Sequence, residues 1–379
     1  MKNLLYEIVT IIFNSAYEGK KAEYPQLHCL KKNEIIDLIF FLQYHRLDMF
    51  FWYSLSEHDK AIFSSQQLSM FETKESLFKW RYTKQIEIAN IITKLFWDAG
   101  LEFVFLKGLP LVLTKYKNGW CRYFADLDVL MPIKDAKKGA ELLNKEGYQF
   151  GFQDKCGISG FIQPASIRVA SKEEIYFKEI FTHELCNLIK QYEDGFMSNV
   201  DINFEFSWQG FKKERTSNIP FKLIKNKIKI AEYNRVKIPY MEDTIQFLHL
   251  CCHLYNEAVY FALDTTIQKR DPKELMLFRV LDLLQFDMTR IDIEYLIDIC
   301  KFYGLTEKLV FSLELISYIF HTKYDEILTI SENRNDAEKL LSIYYDKVGK
   351  KHYWPISPYE RIFNLKKKDE VCELIFSER

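Results

Sequence analysis

The chain has 379 residues, of which 48% are hydrophobic and 28% are charged, and this composition excludes a disordered protein. Its length is sufficient for about two or three subdomains. The formal net charge of −1 excludes a long nucleic acid as the expected partner, because such polyanions are bound mainly through lysine and arginine contacts to phosphate.

Residues 1–98 carry apolar residues at helical spacing and are predicted to form an N-terminal helical region. The first segment, MKNLLYEIVTIIF, fits an amphipathic helix, and Glu7 interrupts the apolar run that a secretion signal would need. No run of about 18 apolar residues follows, so no membrane span is expected. The eight cysteines show no C-x-x-C pair and are expected to be reduced, which indicates a cytoplasmic protein.

A strand, a turn and a helix are predicted at the start of a mixed region covering residues 99–240. Residues 101–106 form an apolar run of strand length, Gly108 allows a sharp turn, and Pro110 suits the first turn of a helix. The unpaired amide groups at such a helix start can hold phosphate oxygens, and Lys107 can add a positive charge. Arg122, on the loop that follows, could do the same.

Two acidic residues, Asp126 and Asp128, lie in the next predicted strand, RYFADLDVLMP. Side chains alternate along a strand, so both carboxylates leave the same face, with Cα atoms roughly 6 to 7 Å apart. Carboxylates this close repel each other unless a cation lies between them, and oxygen ligands select Mg²⁺ or Mn²⁺. The alternative is an acidic pair that only faces water. The order of strand, glycine turn, helix, arginine loop and acidic strand favours the metal site.

The stretches FLKGLPL and WCRYFADLDVLM resemble an uncharacterised bacterial nucleotidyltransferase family whose members read LKG, then R, then DIDLLV. That family is similar to a branch of the polymerase-beta-type nucleotidyltransferase superfamily. The resemblance implies an α+β fold, namely a polymerase-beta-like nucleotidyltransferase core with a mixed sheet, flanked by N-terminal and C-terminal helical regions. It implies Lys107 and Gly108 at a nucleotide-binding turn, and Asp126 and Asp128 at two divalent ions. The phosphate-loop and dinucleotide fingerprints do not match here, which excludes those two classes.

The resemblance also implies a third carboxylate on a later strand, and the segment NVDINFEFSW offers Asp201 for this position. Glu205 is the alternative ligand, because it shares a predicted strand face with Asp201. Both residues could instead face water on an edge strand. The family usually shows a His-Trp pair after this acid, whereas this chain has Asn203 and Phe204, so no role for that histidine carries over.

Residues 241–379 are predicted to form a C-terminal helical region that closes over the nucleotide. Its helices TIQFLHLCCHLYNEAV and ELMLFRVLDLLQF resemble those of the family. The resemblance makes Arg279 and Asp282 possible substrate-orienting residues, and an ion pair within their helix is the alternative. His249 and His253 share a helix face, but a structural role is favoured over zinc binding because no third ligand is evident.

The sequence therefore predicts a transferase that moves a nucleoside monophosphate from a nucleoside triphosphate to a hydroxyl group and releases pyrophosphate. The expected acceptor is a small molecule, a peptide or a protein. Two other functions stay open: a nucleotide-binding or regulatory module without turnover, and a phosphotransferase that moves the γ-phosphate.

Overall fold

The computed structural model describes residues 2–154, 166–208, 218–260, 274–321, 324, 327, 337–346 and 349–377. The chain divides into two compact units. The first contains Met1–Ser76, Tyr116–Cys121 and Phe247–Arg379, and the second contains Leu77–Lys115 and Arg122–Gln246. The three regions proposed from the sequence, 1–98, 99–240 and 241–379, stay a prediction about the order of domains along the chain.

The described helices occur in both units. They are α1 (Lys2–Glu18), α2 (Lys32–Tyr44), α3 (Asp48–Ser54), α4 (Glu57–Lys60), α5 (Ser65–Asp98), α6 (Gly108–Thr114), α7 (Ile133–Lys145), α8 (Lys172–Phe181), α9 (Phe221–Lys225), α10 (Asp243–Val259), α11 (Leu277–Leu284), α12 (Ile293–Phe302), α13 (Thr306–Phe320), α14 (Ala337–Leu341), α15 (Pro358–Phe363) and α16 (Leu365–Ser377). Short 3₁₀ turns cover Pro25–Cys29, Gly119–Cys121 and Met288–Arg290.

The described strands form one large and one small sheet. They are β1 (Val104–Phe105), β2 (Asp126–Leu130), β3 (Gln149–Asp154), β4 (Ser166–Val169), β5 (Leu188–Gln191), β6 (Met197–Asn203), β7 (Ile228–Tyr233), β8 (Val236–Met241), β9 (Ile343–Tyr345) and β10 (Lys351–Tyr353). Strands β1 to β8 form the large sheet, in the order β4-β3-β5-β6-β2-β1-β8-β7. Strands β9 and β10 pair separately in the first unit.

The large sheet is mixed. Strand β2 runs parallel to β6, and β1 runs parallel to β8, while the other neighbouring strands are antiparallel. The predicted α+β class with a mixed sheet is therefore confirmed. The predicted strand over residues 101–106 is shorter than expected, because only Val104–Phe105 enters the ladder.

One face of the central strands is packed into the core of the second unit. Leu127 and Val129 of β2 lie opposite Val200 and Ile202 of β6, and all four side chains are buried. Helix α7 adds Leu143 to the same core. It ends at Lys145, shortly before Gly147, whose φ of +89° suits glycine. Because side chains alternate, the polar residues of β2 and β6 emerge on the opposite face.

The first unit is mainly helical. Its α1 buries Leu5, Ile8 and Ile12, as the amphipathic spacing predicted. None of the described helices combines the length and apolarity that a membrane crossing requires. The lysine-rich start of α16 includes Lys368, which is fully buried against Glu274. Its ammonium group is compensated by that carboxylate, which permits burial.

Candidate active site

Asp126 and Asp128 of β2 and Asp201 of β6 form what we call the acid row. In the parallel register Asp128 lies directly opposite Asp201, while Asp126 lies opposite Asn199. Directly opposed Cα atoms of neighbouring strands are about 4.8 Å apart. All three acids leave the face opposite the core, and Asp128 keeps only 8% of its surface exposed. The fold thus brings together three acids that lie up to 75 positions apart in the sequence.

The ionised form of the Asp201 carboxylate is destabilised by its surroundings in the acid row. Burial raises its pKa well above the ordinary value, and the charges of Asp126, Glu184 and Asp128 raise it further. Lys107 acts in the opposite direction without cancelling them. A carboxylate under this much negative potential favours a proton or another cation close by.

Lys107 supplies one such cation. Its Nζ lies 2.8 Å from Oδ1 of Asp128. Burial lowers the pKa of Lys107, but the charge and hydrogen bond of Asp128, helped by Glu184 and Asp201, outweigh burial and raise the pKa above its usual value. The ammonium group therefore stays charged and neutralises part of the acid row.

The turn at Lys107 and Gly108 differs from the prediction in one respect. The left-handed φ falls on Lys107 (φ 50°, ψ −114°), in a region that favours glycine. Gly108, the first residue of α6, is required for a different reason. A Cβ atom there would lie 2.6 Å from Cβ of Phe124, so only glycine permits this close approach.

Four residues beside the acid row were not anticipated from the sequence. Asn187 donates a hydrogen bond from Nδ2 to Oδ1 of Asp201 at 2.6 Å. Lys178 of α8 donates to Oε1 of Glu184 at 2.6 Å. Glu184 also forms an isolated antiparallel bridge with Asn203, two residues beyond Asp201. No spacing signal marks these residues, because long-range strand pairing alone brings them to the site.

The fourth unanticipated residue, His183, is a neutral side chain at the site. Its pKa is lowered to about 4, chiefly by burial, although Glu184 pulls in the other direction. The Lys107 and Lys178 charges lower it further. At neutral pH the imidazole therefore adds no positive charge to the acid row.

The remaining sequence candidates of the second unit lie near the ends of the site strands. Arg122 is buried and donates from Nη1 to the Tyr123 carbonyl at 2.8 Å. Glu205 lies beyond the end of β6, so it does not share the strand register of Asp201. Asn203, which stands where the family has histidine, is buried and its Nδ2 donates to the Asp201 carbonyl at 3.3 Å.

Arg279 and Asp282 belong to α11 of the first unit, and both are buried. Arg279 is ion-paired with Glu257 and donates to Nε2 of His253 at 2.6 Å, so this histidine is the neutral tautomer that accepts there. Asp282 accepts a hydrogen bond from the Tyr116 hydroxyl at 2.6 Å. These contacts give both residues a structural role within the first unit, and their role towards substrate stays a prediction.

The acid row offers donor atoms that suit a divalent ion, but its side chains are not gathered as a set of ligands. Among the described residues, no group of three or more His, Cys, Asp or Glu side chains has the closeness that ligation of a metal ion requires. Lys107 contacts Asp128 and Asn187 contacts Asp201, so the carboxylates of these two acids engage neighbouring side chains. The donor chemistry nevertheless fits Mg²⁺ or Mn²⁺, because the row presents carboxylate oxygens under mutual repulsion.

A mixed sheet with an acid row on adjacent strands and a Lys-Gly turn beside it is typical of nucleotidyltransferases. A family model described as "Uncharacterised nucleotidyltransferase" matches residues 31–321, which is more than half of the chain. The chain belongs to this nucleotidyltransferase family and is accordingly a transferase. No curated protein and no solved structure matched the chain.

Proposed function

We propose that the protein is a metal-dependent nucleotidyltransferase that transfers a nucleoside monophosphate from a nucleoside triphosphate to a hydroxyl group and releases pyrophosphate. One observation carries the proposal: Asp128 and Asp201 lie in register on adjacent parallel strands, with Asp126 on the same face. Family membership supports the reaction class.

Asp126, Asp128 and Asp201 would hold Mg²⁺ or Mn²⁺. When bound, such ions neutralise phosphate charge and lower the pKa of an acceptor hydroxyl. Asp128 and Asp201 would each exchange a hydrogen bond, to Lys107 and Asn187 respectively, for a ligand bond. The raised pKa of Asp201 supports this exchange, because compensating positive charge would stabilise its ionised form.

Lys107 would then bind the phosphates of the nucleotide. Its ammonium group is held on the same face of the sheet as the acid row by the contact with Asp128. The Gly108 backbone and the Arg122 guanidinium are proposed to assist in nucleotide binding. Preorganised positive groups of this kind stabilise charge that moves during phosphoryl transfer.

The acceptor is proposed to be a small molecule, a peptide or a protein, and the reaction is proposed to occur in the cytoplasm. The net charge of −1 disfavours a long nucleic acid. Arg279 and Asp282 are proposed to orient the substrate, although both have partners within their own unit.

The proposal can be tested with α-labelled and γ-labelled nucleoside triphosphates, Mg²⁺ and cell extract. We expect pyrophosphate and an acceptor carrying the α-label. Nucleoside diphosphate with γ-labelled acceptor would indicate a phosphotransferase, and nucleotide binding without product would indicate a regulatory module. Asp126→Asn and Asp128→Asn should abolish labelling, whereas equal labelling by both variants would refute the assignment.

Glu205→Gln provides a matched control for the third acid. Glu205 lies near the end of the same strand but outside its register with β2. We expect Asp201→Asn to lose labelling and Glu205→Gln to keep it. The opposite pattern would identify Glu205, and not Asp201, as the third acid of the site.

A further inference from the structure

Lys178 reaches the acid row from α8. Its Nζ lies 2.6 Å from Oε1 of Glu184, and the side chains of Lys178 and Glu184 are 26% and 18% exposed. Glu184 is tied by its backbone bridge to Asn203, two residues beyond Asp201 on β6. Lys178 is thus held beside the acid row through a carboxylate that belongs to the same face of the sheet.

The acid row also acts on the charge of Lys178 directly. Burial lowers its pKa, but Glu184 and then Asp201 raise the pKa above its ordinary value. Glu184 acts in the same way on Lys107. The two lysines therefore belong to one electrostatic network, although they come from different helix termini.

Among the described residues of this network, acids outnumber lysines: the carboxylates of Asp126, Asp128, Glu184 and Asp201 act on the ammonium groups of Lys107 and Lys178 or on one another. Both lysines are bound to carboxylates. If the acid row is compensated by divalent ions, the carboxylates attract the lysines less strongly, and the ammonium groups become available to an incoming polyphosphate.

We propose that Lys178 is a second phosphate-binding residue of this site and that Glu184 pairs with it until an incoming polyphosphate displaces the carboxylate. This inference rests on the proposed nucleotidyltransferase function. The ligand class is the triphosphate of a nucleotide, which Lys178 contacts together with Lys107. A lysine ammonium suits this role because it is a compact, mobile charge with three donors.

The helix that carries Lys178 supports a functional role over a packing role. Helix α8 contains no fully buried residue, and Lys178 is among its least exposed side chains. Its own capping comes from Ser171 and Glu174 at the other end. The capping of this helix therefore does not depend on the ion pair of Lys178. The lysine is instead directed towards acids of the site.

Inorganic triphosphate is the suitable probe, because it requires neither a known base nor a known acceptor. Calorimetric titration in Mg²⁺ buffer should show binding by the parent protein and about tenfold weaker binding by Lys178→Met. Lys172→Met removes an exposed lysine of the same helix and should bind as the parent does. Lys178→Arg should restore most of the affinity.

Glu184→Gln separates the competition of Glu184 for Lys178 from a role of Glu184 in folding. In Mg²⁺-free buffer the variant should bind triphosphate several-fold more tightly than the parent, because a competing anion is removed. In the Lys178→Met background the same change should give a much smaller gain. A purely structural ion pair would change the unfolding temperature without this pattern in affinity.

The outcomes distinguish the two proposals. If the parent binds triphosphate and Lys178→Met binds equally well, Lys178 is not a phosphate ligand, while the proposed function stands. If the parent does not bind triphosphate at all, the proposed function and this inference both fail. If Lys178→Met does not fold, the triphosphate affinities of Lys178→Arg and Glu184→Gln are compared with that of the parent. An affinity of Glu184→Gln equal to that of the parent in Mg²⁺-free buffer would then refute the role of Lys178.

Discussion

Asp128 on β2 lies directly across from Asp201 on β6, in a parallel pairing that places both carboxylates on the face opposite the core. The pairing fixes their separation more firmly than a loop would, because each strand is held by ladder hydrogen bonds on both sides. It also concentrates negative charge, as the raised pKa of Asp201 shows. The same relationship that is proposed to support ion binding should therefore destabilise the fold when no ion is bound.

The first prediction concerns Asp201 and stability. Its folded pKa is raised, so the folded state binds protons more strongly than the unfolded state, and stability should fall as pH rises from about 4 through that pKa. Removing the charge with Asp201→Asn should raise the unfolding temperature by about 2 °C at pH 7 in EDTA. The gain should disappear at acidic pH, where the parent is protonated.

Asp194 provides a control of the opposite sign. Its hydrogen bond with Lys84 lowers its pKa, so its charge favours the folded state. Asp194→Asn should not raise the unfolding temperature. A rise for Asp194→Asn equal to that for Asp201→Asn would mean that general charge reduction, not the acid row, is responsible.

The second prediction concerns the backbone at Lys107. At φ 50° and ψ −114°, a residue with a Cβ atom is strained and glycine is not. Lys107→Gly and Lys107→Ala both remove the ammonium group, so their difference isolates the backbone. We expect Lys107→Gly to be more stable than Lys107→Ala by about 1 kcal/mol in urea unfolding. Greater stability of the alanine variant would show that this turn is not strained.

The third prediction concerns Gly108. Its substitution by alanine places a Cβ atom 2.6 Å from Cβ and 2.9 Å from Cγ of Phe124. Since Cβ of Phe124 cannot move without shifting the backbone just before β2, Gly108→Ala should reduce the free energy of unfolding by about 1 to 3 kcal/mol. In a Phe124→Gly background, where the contact is absent, Gly108→Ala should cost less free energy of unfolding than it does in the parent. Full stability of Gly108→Ala alone would contradict the close approach.

The fourth prediction concerns the ion network of the first unit. Glu274 is fully buried, with its carboxylate 2.6 Å from Nη1 of Arg361 and 3.0 Å from Nζ of Lys368. Glu274→Gln leaves two buried cations uncompensated and should lower the free energy of unfolding by about 3 to 5 kcal/mol. Lys368→Met leaves Glu274 paired with Arg361 and should lower the free energy of unfolding by less. Urea unfolding of both variants measures these losses. A larger loss for Lys368→Met than for Glu274→Gln would refute the prediction.

The sequence predicted the parts of the site that depend on local periodicity. Alternation in β2 correctly indicated that Asp126 and Asp128 share a face, because a strand sets this within a few residues. The turn was located correctly, but its strain falls on Lys107 and its close approach involves Phe124, a contact that spacing does not encode.

Residues whose position depends on distant pairing could not be predicted. Glu184 and Asn187 reach Asp201 because β5 pairs antiparallel with β6, and no motif in that segment marks the pairing. The burial of Lys368 likewise leaves no local signal in the sequence, because its buried partner, Glu274, lies 94 positions away. Long-range partners decide whether a charged residue is solvated or buried.

The acid row is proposed to bind a divalent ion. The most direct test of this binding is a Mn²⁺ titration followed by electron paramagnetic resonance, with Asp128→Asn, Asp201→Asn and the control Glu205→Gln. We predict that the parent and Glu205→Gln bind Mn²⁺ alike, and that each row variant binds at least about tenfold more weakly. Equal Mn²⁺ affinity in all four proteins would show that the acid row does not bind the ion.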